Sequence, residues 1–178
     1  MVLYFLDSNS YAPPSVGGYA WIQHDQILWY RETARALREE NGAPLPALAF
    51  FHIPLPEYEE VWATQPCRGH KNEPVCCPRL NTGFFAALWE EGDVMGTFVG
   101  HDHINDYEGT LYGIRLCYGR ATGYQTYGQE GFLRGARIIR CREGERDFRT
   151  WLRLEDGSIV LHPPLHQPQG VREGRLKP

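Results

Sequence analysis

A chain of 178 residues, 42% hydrophobic and 13% aromatic, suits one folded domain with a sizeable core and is too apolar for a disordered one. A net charge of −4 and a pI near 6.0 give no electrostatic footprint for nucleic acid; the basic runs "FLRGARIIRCRE" and "VREGRLK" read as a solvated strand face and a loose terminus. No apolar stretch approaches the roughly 18 residues that span a bilayer, and the N-terminus has neither the basic region nor the small-residue cleavage site of a signal peptide.

Taken in chain order, "LYFLD" is a short apolar run stopped by Asp7, Ser8, Asn9 and Ser10, which predicts a strand and then a loop. A chain that opens inside a strand is expected to start in the middle of its fold. The Pro- and Gly-rich "YAPPSVGGYAW" continues the loop. In "DQILWYRETARALREENG", Ile27, Tyr30, Ala34 and Leu37 share one helical face, with Arg31, Arg35 and Arg38 largely on the other. Asp25 is the expected N-cap and Gly42 the stop.

"PALAFFHIPLPEY" gives an apolar strand over about Ala47–Phe51, the pattern of a strand buried on both faces, ended by Pro54 and Pro56. Residues 57–80 read as a long irregular connection, of the kind that is usually functional or mobile. "NTGFFAALWEEGD" predicts a short helix capped near Asn81 or Thr82, with Phe84, Phe85, Leu88 and Trp89 inward and Gly92 as the stop. "VMGTFVG" is the next buried strand. Beyond it "LYGIRLCYGR", "GARIIRCRE" and "FRTWLRLEDGSIVLH" alternate apolar and polar residues, with Asp156–Gly157 as a hairpin turn. This order predicts an α/β layered sandwich, one domain over residues 1–178, whose sheet gains antiparallel strands late.

The five cysteines, Cys67, Cys76, Cys77, Cys117 and Cys141, leave one thiol over, so they do not settle the compartment. "CRGHKNEPVCC" lacks the paired C-x-x-C of a structural zinc site, and a disulfide from Cys67 to Cys76 or Cys77 is the better expectation.

His52 stands at the carboxyl end of one buried strand, and His101 with His103 at the carboxyl end of the next, where open α/β sheets bind ligands. Residues i and i+2 of an extended segment point the same way, so His101 and His103 can converge. Any one of these alone reads as a histidine bonded to a carbonyl. Three at adjacent strand ends favour a metal, since neutral imidazole suits zinc, iron or manganese-type ions. Asp102 either orients an imidazole or serves a turn; Asn105 and Asn81 read as turn and cap residues. Tyr118, Arg120 and Tyr124 either line a pocket, with Arg120 reaching phosphate, or belong to a loop packed on the core.

"FFHIPL" followed about fifty residues later by "GHDH" resembles the last two motifs of the calcineurin-like metallophosphoesterases. The wider string, "LYFLDS", "VGGYAWI", "NTGFF", "GHDHINDYEG", "GIRLCYGR", "TGYQTYG" and "TWLRL", is similar to their purple-acid-phosphatase-related branch, which includes plant "probable inactive" forms and fungal relatives. The resemblance covers nearly the whole chain and implies the C-terminal half of a two-sheet α/β/β/α sandwich. It further implies a dinuclear centre of Fe, Zn or Mn that hydrolyses a phosphate ester, with His52 and His101 on one metal and His103 on the other.

The family's earlier motifs, D-x-H, G-D-x-x-D and G-N-H-(D/E), do not occur in this sequence. The expectation is therefore a fragment that is inactive alone. Two competing classes remain: a folded remnant or binding module without catalysis, and a mononuclear three-histidine enzyme of another kind.

Overall fold

The computed structural model describes residues 1–168. In chain order its elements are β1 (Val2–Phe5), α1 (His24–Asn41), β2 (Ala47–Phe50), α2 (Glu57–Thr64), β3 (Cys67–Arg68), α3 (Phe84–Glu91), β4 (Val94–Val99), β5 (Glu108–Leu111), β6 (Ile114–Tyr118), β7 (Gly135–Cys141), β8 (Phe148–Leu154), β9 (Ile159–Val160) and β10 (Leu165–His166). The basic tail "VREGRLK" lies outside the described residues.

Seven strands form one mixed sheet in the order β1-β2-β4-β6-β5-β3-β10. The β1-β2, β2-β4 and β4-β6 pairs are parallel; β5, β3 and β10 join antiparallel. β5 and β6 are joined through Tyr112 and Gly113, both at positive φ (47° and 86°), the backbone a tight two-residue hairpin requires. β7, β8 and β9 make a second, antiparallel sheet, with Gly157 at φ 86° in the expected Asp156–Gly157 turn. The result is the expected α/β architecture.

Side chains alternate across the large sheet as strand geometry requires. Tyr4, Ala47, Ala49, Leu116 and Tyr118 face the helices, together with Tyr30 and Ala34 of α1 and Phe84, Ala87 and Leu88 of α3. Leu48, Phe98 and Cys117 face the other way, where Phe148 of the second sheet covers them. β2 is buried on both faces, as its unbroken apolar run predicts. On β1 the second face is open: Leu3 is 50% and Phe5 70% exposed.

Local chemistry departs from expectation at several points. α1 starts two residues earlier than an Asp25 cap implies: Gln23 is the N-cap, its N–H donating to Gln26 Oε1 at 2.7 Å, and Asp25 sits in the first turn beside the positive helix end. Gly42 stops the helix at φ 74°. The segment expected to be irregular contains α2, entered through Pro56 and led by Glu57, Glu59 and Glu60, with Tyr58 and Val61 buried. α3 is capped by Gly83 rather than Asn81 or Thr82, and Trp89 points outward at 61% exposed. Arg137, expected on a solvated strand face, is buried and donates to the carbonyls of Tyr118 and Asp106. α1 and α3 are tied by the buried Glu91 carboxylate, which Arg31, Arg35 and Arg38 all reach. Next to it Asp93 accepts the hydroxyls of Tyr4 and Tyr30.

Candidate metal centre

The parallel strands β1, β2 and β4 end side by side, and their carboxyl ends set the first two histidines. Ser8, buried just past β1, accepts the main-chain N–H of His52 at 3.2 Å and of Ile53 at 2.9 Å through its hydroxyl oxygen. The His52 carbonyl in turn accepts the N–H of Gly100, at 3.2 Å. His52 is thereby held on both sides, and Gly100 delivers His101 beside it. The ring nitrogens His101 Nδ1 and His52 Nε2 stand 3.1 Å apart, with the rings nearly perpendicular at 86°. Tyr19, from the Pro- and Gly-rich loop, meets the His101 ring edge-on at 4.3 Å.

Burial holds the pKa of both imidazoles below the ordinary histidine value. For His52, the repulsion a protonated ring would meet from a protonated His103 adds to this; for His101, Asp102 opposes it while His52 and His103 reinforce it. Both rings are therefore neutral near pH 7, the state in which imidazole ligates a metal. Two nitrogens on one ion at about 2.1 Å, at tetrahedral to octahedral angles, stand about 2.9–3.4 Å apart. The observed 3.1 Å separation lies in that range; it is also a hydrogen bond between the rings, so ligation of one ion by both nitrogens requires the donor ring to carry its proton on its other nitrogen.

His103 is placed differently. Its ring stacks on Tyr127 at 4.1 Å and 20°, and its Nδ1 lies 3.3 Å from the Tyr127 carbonyl oxygen. It is near enough to act electrostatically on His52 and His101. Among the described residues no cluster of three or more His, Cys, Asp or Glu is gathered around one point. The structure thus pairs His52 with His101 and sets His103 apart from them.

The loop carrying these histidines is zipped to the segment 70–76 by buried side chains. Asp102 accepts the Cys76 N–H at 3.1 Å and the Tyr118 hydroxyl at 2.5 Å, so it orients no imidazole. Asn105 accepts the N–H groups of Asn72 and Glu73, at 2.9 and 3.1 Å, and donates to the Glu73 carbonyl. Asp106 accepts the His70 N–H at 2.6 Å and pairs with Arg120 at 2.5 Å. Arg120 is 8% exposed with its guanidinium over the Phe132 ring, so it is a structural ion, not a free phosphate ligand. Tyr118 is buried and Tyr124 exposed, which sets them apart as well.

Gly69 makes the close approach possible. At φ 121° a Cβ there would stand 2.5 Å from Tyr107 Cα. The expected disulfide is absent: all five cysteines are free, and buried Cys67 bonds to the carbonyls of Val61 and Gln65. The contribution of Asp102, Asn105 and Asp106 was visible in the sequence only as a run of short polar residues behind a buried strand.

No family model matches the chain. Among curated proteins it is 41% identical over 176 residues to "Probable inactive purple acid phosphatase 29" of Arabidopsis thaliana, covering 89% of this chain and 45% of that protein. "Probable inactive purple acid phosphatase 14" of the same plant is 37% identical, over 89% of this chain and 44% of its own length. "Phosphatase DCR2" of Saccharomyces cerevisiae is 35% identical over 168 residues, covering 85% of this chain and 28% of that protein. A dimetal phosphatase structure from Danio rerio aligns at a TM-score of 0.49 and 13% identity, over 85% of this chain and 40% of that one. The chain spans about half the length, or less, of the curated relatives it matches. Over that span the chain is related to the purple-acid-phosphatase-like proteins of the calcineurin-like phosphoesterases.

Proposed function

We propose that this chain supplies the histidine ligands of a metal-dependent phosphoesterase centre, His52 and His101 to one ion and His103 to a second. The observation that carries the reading is the 3.1 Å separation of two neutral imidazole nitrogens at the carboxyl ends of adjacent parallel strands. Ions of the Fe, Zn or Mn type, when bound, would activate water and offset the charge of a phosphate ester. The chain's own residues do the positioning: Ser8 and Gly100 fix the His52 backbone, and Tyr19 limits the His101 ring.

Three neutral ligands bring no negative charge to offset two cations. The expected outcome is therefore weak binding of at most one ion by the 178-residue chain, without turnover. Metal-dependent hydrolysis of a chromogenic phosphate ester by this chain would refute that. The test of the reading itself is metal content and activity of a full-length protein carrying this segment, with His52→Ala, His101→Ala or His103→Ala. Loss of bound metal together with activity supports it; unchanged values for all three sink it.

A non-catalytic reading is favoured by one feature. The carboxylates flanking the histidines, Asp102 and Asp106, are both committed to holding loops together.

A further inference from the structure

His103 is held by a small network that the strand-end pair does not share. A carbonyl oxygen has no proton to give, so the contact between His103 Nδ1 and the Tyr127 carbonyl, at 3.3 Å, requires the proton on Nδ1. A neutral ring then has its lone pair on Nε2, for which no partner exists among the described residues. The main-chain N–H of His103 donates to the Tyr127 hydroxyl oxygen at 3.2 Å. That hydroxyl donates to the Glu73 carboxylate, 2.9 and 3.0 Å from its two oxygens, and Glu73 also accepts the Ile104 N–H at 2.8 Å. From the other side Arg134 donates to the Tyr127 carbonyl at 3.2 Å.

The exposed tyrosine is thus joined to Glu73 by its hydroxyl, to His103 by its hydroxyl, carbonyl and ring, and to Arg134 by its carbonyl. A side chain merely resting on the surface would show no such set of directed bonds. Resting on the metal-ligand reading above, we propose that Glu73 and Tyr127 are positioning residues for His103. They latch its ring in the Nδ1–H tautomer and leave Nε2 as the ligating nitrogen. Partners that fix a ligand's tautomer alter metal affinity by about 10–100-fold.

The test uses the 178-residue chain labelled with 15N-histidine, with His103 assigned by comparison with His103→Gln. Long-range 1H–15N spectra read the tautomer without metal, and metal titration of a full-length protein carrying this segment reads affinity. The expected result is an Nδ1–H His103 that loses this preference in Tyr127→Phe and Glu73→Ala. Glu73→Gln, which keeps an acceptor oxygen, retains it. In that full-length protein, affinity for the second ion falls by about 10-fold in the two disruptive variants. An Nε2–H ring in the unaltered chain, or a tautomer indifferent to both disruptive variants, overturns the latch. If the tautomer responds as expected while the full-length protein's metal affinity is indifferent to both variants and to His103→Gln, the latch stands and the ligand role of His103 falls instead.

Discussion

Asp106 is 1% exposed and holds the buried Arg120 on one side and the loop at His70 on the other. Asp106→Asn removes the charge opposite a guanidinium that water cannot reach, and is expected to cost about 3–5 kcal/mol in urea unfolding. A cost below about 1 kcal/mol would mean that the pair does not hold the loop. A second contrast lies between two glycines. Gly69→Ala forces a Cβ against the Tyr107 backbone, whereas Gly42→Ala, also at positive φ, meets nothing within 4 Å. The first is expected to cost well over 2 kcal/mol and the second about 1, by thermal melts. Equal costs would remove the steric argument. At this scale the sequence was legible where strand ends were: the carboxyl-end rule set His52 and His101 at neighbouring strand ends, where their rings meet. It could not show that Asp102, Asn105 and Asp106 serve a segment 26 to 36 residues away, because loop-to-loop bonds follow no period.

Between elements, the attachment of α1 to α3 is electrostatic as well as apolar. Burial alone would raise the Glu91 pKa, but the Arg35 and Arg31 hydrogen bonds outweigh it and hold the carboxyl below its ordinary value. The folded carboxyl therefore binds its proton less tightly than the unfolded one. Its contribution is full above about pH 4.3 and is lost as the pH falls through the lower, folded value. Glu91→Gln is expected to cost about 2 kcal/mol at pH 7 and to flatten the acid limb of the stability curve. An unchanged acid limb would assign it to other carboxyls. The arginine face of α1 was legible as a periodic stripe, but its partner was not, since Glu91 lies more than fifty residues on. α2 escaped notice because its eight residues follow two prolines and bury only Tyr58 and Val61, too short a stretch for helical period to stand out.

Over the whole molecule, the large sheet is covered unevenly. Helices cover one face, and the second sheet covers the middle of the other, but Leu3 and Phe5 lie bare on β1, itself an edge strand. Phe5 stacks on Phe50, and Phe50 on Phe98, each at 5.0 Å, so the apolar face is continuous from the open edge to the covered centre. Such an edge invites association. Leu3→Lys with Phe5→Lys is expected to lower light scattering and dye binding by exposed apolar surface, with stability changed by no more than about 0.5 kcal/mol. Undiminished scattering would place the adhesive surface elsewhere. Strand order was the least legible property of the fold: β3, two residues long, pairs with β5 and β10, a placement decided by contacts distant in sequence.

The Ser8 hydroxyl gives this open edge a bearing on the histidine pair. It is the acceptor for two N–H groups at the end of β2, and it is carried between the outermost strand and a loop tied to the start of α1, where the Asp7 carbonyl accepts from Gln26 Nε2 and Asn9 Nδ2 donates to the Trp21 carbonyl. When this end of β1 opens, both N–H groups lose their acceptor together, and His52 keeps only its hold on the β4 side, through the Gly100 N–H. Amide hydrogens of His52 and Ile53 should accordingly exchange in step with each other, because one hydroxyl more than forty residues earlier in the chain accepts both.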